Sequence, residues 1–132
     1  MAKVDIETAE NDYVKFTEIL KLSELKQEKL KDEKEDIVQL IEFGYLQIGD
    51  EITYNLETPL EKGAELLEKI VFKNRRFTVK DIEKYTGGAK NDVELARRML
   101  AALTGVNSGL LAGLDAEDFT KIGKISAFFL PR

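Results

Sequence analysis

Three short phrases set an acid three residues after a side chain that can cap a helix: Thr78 and Asp81 in FTVKDI, Asn91 and Glu94 in NDVE, Asp115 and Asp118 in LDAEDF. Carboxylates in such numbers could serve general acid or base chemistry. The spacing has a simpler use. A Thr, Asn or Asp at the N-cap accepts a backbone N–H from the first turn, and an acid at the third helical position can reach back to the cap or complement the helix dipole. Two of the phrases add an apolar pair, Phe77 with Ile82 and Leu114 with Phe119, placed to staple the entering chain to the first turn. Capping therefore accounts for these acids. The chain has no histidine and no cysteine, which removes the commonest acid/base group, the commonest transition-metal ligand and any thiolate or disulfide chemistry. The reading assigns no catalytic residue, no cofactor-binding residue and no metal ligand.

Other chemistry is sparse. TGGAK and GVNSGLLAG hold glycines without the spacing of a phosphate-binding or dinucleotide loop. Lys73, Arg75, Arg76 and Lys80 form a small basic cluster that could meet phosphates or an acidic partner, and a strand end in water explains it equally. The helix from Thr78, the turn at TGGAKN and the helix from Asn91 resemble a helix-turn-helix in outline. Their connection is longer than the usual turn and the second helix is not basic, which argues against DNA binding.

These caps sit within an α+β pattern. Tyr45 onward alternates apolar and polar at Ile52, Tyr54 and Leu56, and again at Leu66, Ile70 and Phe72. The two runs predict a β-hairpin whose turn contains Pro59 and Gly63. A lone hairpin is marginal in water and needs helices against it. The helix from Asn91 carries Leu95, Ala96, Met99, Leu100 and Leu103 and stops at Gly105; the helix from Asp115 runs to the aromatic end of the chain. Upstream, Tyr13, Phe16, Ile19 and Leu20, then Ile37, Leu40 and Ile41, recur at helical spacing, with the charged run KQEKLKDEKED between them and Gly44 as a helix end. Residues 1–48 hold seven lysines against twelve acids, whereas the remaining 84 residues balance, so the net charge of −5 is all N-terminal. This imbalance predicts an acidic helical arm, residues 1–44, separable from an α+β domain of residues 45–132. The fold expected is mostly helical, one β-hairpin packed against about three helices and preceded by the arm. With no apolar run long enough for a membrane span and no leader pattern, the chain reads as cytoplasmic.

The order of these pieces resembles the phage tail assembly chaperone family of contractile-tailed phages and prophages. The resemblance covers residues 45 to 132 and rests on the strand region before Thr78 and Asp81, the LTG phrase at Leu103, Thr104 and Gly105, and the closing phrase at Leu114, Asp115, Ala116, Asp118 and Phe119. The N-terminal 44 residues depart from its shorter members. The resemblance implies a non-catalytic factor in the bacterial host cytoplasm that binds the long, helical tape measure protein during tail assembly, with homo-oligomers in prospect and no role for nucleic acid or membrane. Two other readings are a small DNA-binding regulator using residues 73–104 and a structural tail or neck subunit. For the partner surface, the last helix is the candidate, through Phe119, Ile122, Ile125, Phe128 and Phe129. Adjacent helical residues point about 100° apart, so one of Phe128 and Phe129 is expected to close the core and the other to face outward.

Overall fold

The computed structural model describes residues 3–73 and 77–130. Helices α1 (Ile6–Ile19), α2 (Glu24–Lys29) and α3 (Lys31–Glu42) lead into a sheet of β1 (Leu46–Ile48), β2 (Ile52–Lys62) and β3 (Glu65–Phe72). Helices α4 (Val79–Thr86), α5 (Asp92–Thr104), α6 (Ser108–Leu111) and α7 (Ala116–Ser126) follow. The architecture is α+β and mostly helical, as expected, with a third strand added to the hairpin.

The sheet is antiparallel in the order β1-β2-β3. Leu46 pairs with Tyr54, Ile48 with Ile52, and Ile52 and Tyr54 pair in turn with Phe72 and Ile70. All of these side chains are buried, so the alternation read from the sequence does mark the core-facing side. The turn differs from expectation. Gly63 and Ala64 alone connect the strands, and Pro59 lies inside β2, where the register slips between Asn55 and Leu60. A residue without an N–H belongs at such a bulge, because no ladder bond is lost there. Leu66, assigned to the apolar face, is 54% exposed, and beyond the bulge it is Leu67, paired with Leu60, that packs against the core.

Helix ends follow the local signals. Thr78 and Asp81 form a complete capping box, Asn91 accepts from the Glu94 N–H, and Asp115 accepts from the Glu117 N–H. Gly44 (φ +83°) and Gly105 (φ +74°) both take the left-handed conformation just past a helix end, where a Cβ is costly. The Glu94 carboxylate accepts from the Lys90 N–H and from Arg98, and these bonds, the Lys90 one first, hold its pKa below the ordinary glutamate value.

Residues 1–44 pack into the same core as the rest. Ala9, Tyr13 and Phe16 of α1 and Ile37, Val38, Leu40 and Ile41 of α3 belong to one cluster with the sheet and α7. Phe16 lies 5.4 Å from the Phe128 ring and 6.1 Å from Phe129, and Phe129 stacks on Phe72 of β3 at 5.1 Å. Even the charged run contributes Leu30, wholly buried, while Lys26 donates to the Leu130 carbonyl at 2.8 Å. The acids of this N-terminal stretch lie mostly on the outer faces of helices whose inner faces close the core.

Candidate partner-binding surface

The last helix is positioned by a carboxylate, Asp118, that serves no cap. Asp118 is wholly buried. Its Oδ1 accepts the Tyr54 phenol at 2.6 Å and the Glu57 N–H at 3.0 Å, and its Oδ2 accepts the Thr58 N–H at 3.0 Å. The bulge in β2 presents those two amide groups to α7. A buried anion with three donors is well satisfied, and the cost of burying Tyr54 with Asp118 against its phenol pushes the tyrosine far above its usual pKa. Asp115 alone caps the helix.

With α7 anchored at this point, Ile122 and Ile125 are wholly buried, and Phe128 and Phe129 are 1% and 6% exposed. Phe119 is half-buried against the same cluster. The expectation that one of the two adjacent phenylalanines faces outward is therefore overturned. Helix α7 ends at Ser126, and Phe128 and Phe129 sit in a turn with bonds to the Ile125 and Ser126 carbonyls. Phe128 meets Tyr13 and Phe16, and Phe129 meets Phe16 and Phe72. The 100° argument fails because α1 covers one side and the sheet the other. Of the residues proposed to meet a partner, four are core and one is partly so.

The face that α7 does offer carries two lysines, each paired with an acid of a neighbouring element. Lys121 and Lys124 flank a shallow groove of ≈ 250 Å³ whose other wall is the C-terminal part of α3, through Asp36, Gln39, Leu40 and its cap Phe43, with Tyr45 just beyond the helix end. Phe43 is 42% exposed. Tyr45 stacks on Tyr54 at 6.3 Å, and the Lys121 ammonium lies 4.2 Å from the Tyr45 ring centre, a cation–π distance. Lys121 also donates to Glu57 at 2.8 Å, and Lys124 pairs with Asp36 at 3.2 Å. Partial burial pulls the Lys121 pKa down, but the bond and charge of Glu57 outweigh it and the group stays above its ordinary value. Nothing in the spacing of Phe43, Tyr45, Lys121 and Lys124 marks them as one site; the signal available was an aromatic on each side of the helix-ending Gly44.

Elsewhere, the described residues bring no three acids together in a cation-binding array, and none of their helices is long and apolar enough to cross a membrane. Of the basic cluster, Arg75 and Arg76 lie outside the described residues. On α5, Arg98 is occupied by Glu94 and the Gly87 carbonyl.

The fold is that of a small α+β protein with a shallow groove between α3 and α7. A family model described as phage tail assembly chaperone proteins, E, or 41 or 14, matches residues 53–131, and the chain belongs to that family. The matched stretch contains β2 from Thr53, β3, α4 to α7 and the whole Tyr54–Asp118 anchor. Comparisons with curated proteins and with solved structures find no match. The role the family assigns is tail assembly chaperone, one that calls for no catalysis.

Proposed function

We propose that this chaperone binds the tape measure protein in the host cytoplasm and keeps it soluble until the tail tube encloses it. The family match over residues 53–131 carries the reading. A long helical protein exposes apolar stripes that associate with one another, and a small protein presenting an aromatic-lined groove between two helices can cover such a stripe. The exposed ring of Phe43 and the half-buried Tyr45 supply that groove here, in place of Phe119, Phe128 and Phe129.

The test is co-expression with the tape measure protein of the same phage. The chaperone should raise the soluble fraction of that protein and elute with it, and it should be absent from purified particles. A tape measure protein equally soluble alone and never recovered with the chaperone refutes the proposal. Retention in finished particles at fixed stoichiometry would make this chain a structural subunit.

A further inference from the structure

Helix α1 is joined to the rest of the chain by a turn that the local sequence does not favour. After its last residue, the Leu22 N–H donates to the Thr17 carbonyl and the Lys21 N–H to the Glu18 carbonyl, both at 3.1 Å. These two bonds close a Schellman motif, which puts Lys21 in the left-handed position. Its φ is +53°, and among the described residues it is the only non-glycine with positive φ. Where α3 and α5 end in the same conformation, the residue is Gly44 or Gly105. A Cβ in that conformation is costly, so the lysine stores strain that the glycines do not.

The strain has an outlet. No glycine or proline occurs before Gly44, so no helix breaker stops residues 20–23 from joining α1 to α2 as one continuous helix, where a lysine is favourable. The local cost is the exposed cap bond that Ser23 accepts from the Lys26 N–H. What holds α1 folded back is tertiary contact: Ala9, Tyr13, Phe16 and Leu20 are buried, and Phe16 meets Phe128 and Phe129. Helix α1 lies outside the family-matched stretch, residues 53–131, whereas Phe72, Phe128 and Phe129 lie within it. The helix is a cover laid over the matched stretch.

We infer that α1 is an exchangeable element: the turn at Lys21 opens, α1 and α2 run on as one helix, and α1 takes the same seat on a second copy of this chain, giving a domain-swapped dimer. The second copy is the occupant the structure specifies, because its α1 carries the very stripe, Ala9, Tyr13, Phe16 and Leu20, that the seat already fits. The contacts α1 makes in the monomer are remade across the pair and the hinge alone changes, so exchange costs little, and a short hinge under strain invites it. Two relaxed hinges then favour the dimer. The inference concerns self-association and does not depend on which partner the chaperone carries.

The experiment uses the full chain, concentrated, warmed to the onset of melting and cooled, because exchange requires α1 to leave its seat; size-exclusion chromatography with light scattering then separates monomer from dimer. Lys3→Cys with Gly44→Cys marks the seat, since a Cβ placed at 44 lies 3.3 Å from that of Lys3, close to disulfide geometry, and the chain has no other cysteine. After oxidation, the dimer fraction should run as a covalent dimer on a denaturing, non-reducing gel and the monomer fraction as a monomer. Lys21→Gly fits the left-handed turn and disfavours the continuous helix, so it should weaken dimerisation about fivefold at each hinge, roughly 25-fold in all. It is measured without the cysteine pair, so strain from a side chain at position 44 does not bear on it. No dimer at millimolar concentration, a dimer cross-linked only within its chains, or dimerisation unaffected by Lys21→Gly overturns the inference. A chain that stays monomeric while added tape measure protein blocks the 3–44 cross-link gives the seat to that protein, and also overturns it.

Discussion

Asp115 and Asp118 sit in one phrase and look alike, yet their removal should differ severalfold in cost. Asp115 makes an exposed cap bond to the Glu117 N–H at 3.0 Å, so Asp115→Ala should cost about 1 kcal/mol. Asp118→Ala takes the partner from the phenol of Tyr54, itself wholly buried, and a donor stranded beside a lost charged acceptor costs about 1.5–3 kcal/mol. The Glu57 and Thr58 N–H groups lose their acceptor too, but both residues are exposed and water can replace part of it, adding about 1–2 kcal/mol together. The sum is about 2.5–5 kcal/mol, or roughly 8–25 °C in Tm for a domain of this size, against about 3–5 °C for Asp115→Ala. Thermal and urea melts at pH 7 measure both. Tyr54→Phe completes a double-mutant cycle: the double variant should be destabilised by clearly less than the sum of the singles, because the 2.6 Å bond is lost only once. Equal costs for Asp115→Ala and Asp118→Ala, or an additive cycle, would refute the idea that this carboxylate anchors α7 to the bulge.

Deleting residues 1–44 strips α1 and α3 from the sheet and uncovers Phe128 and Phe129, so the remaining chain should show no cooperative thermal transition and should bind a hydrophobic dye; a sharp transition would show that residues 45–132 fold alone. Phe128→Ala and Phe129→Ala should each cost about 3–5 kcal/mol in denaturant melts, in place of the split expected from helical geometry. Tyr54 has its folded-state pKa raised well above 10, so its contribution is intact below the unfolded value and declines as pH rises past about 10, where the unfolded chain releases the proton and the folded one does not. Stability measured from pH 8 to 11 should fall at the alkaline end, and the fall should be shallower in Tyr54→Phe.

Local hydrogen bonding was readable in advance. Thr78 with Asp81, Asn91 with the Glu94 N–H, and the glycines at 44 and 105 each need only groups within a few residues, so their geometry is written in short phrases. The core side of the hairpin was readable at Ile52, Tyr54, Ile70 and Phe72, because strand alternation is local as well. The three-residue strand β1 was not: it exists only as a neighbour for β2, and nothing in LQI alone distinguishes it from a loop. Leu30 in its charged surroundings, Pro59 in its bulge and the burial of both Phe128 and Phe129 were equally hidden, since each depends on an element far along the chain. The candidate site was the least legible part. Its aromatics and lysines lie almost eighty residues apart, and the helix that carries the lysines is set by Ile122 and Ile125 in the core and by Asp118 bonded to Tyr54, 64 residues away. The α+β class, the helix ends and the two long strands were legible in the chain because they rest on bonds and alternation that close over a few residues. Which acid is an anchor rather than a cap, which aromatics are core and where a groove opens emerge only on folding, because burial is a property of the faces that meet and not of the segment that carries them.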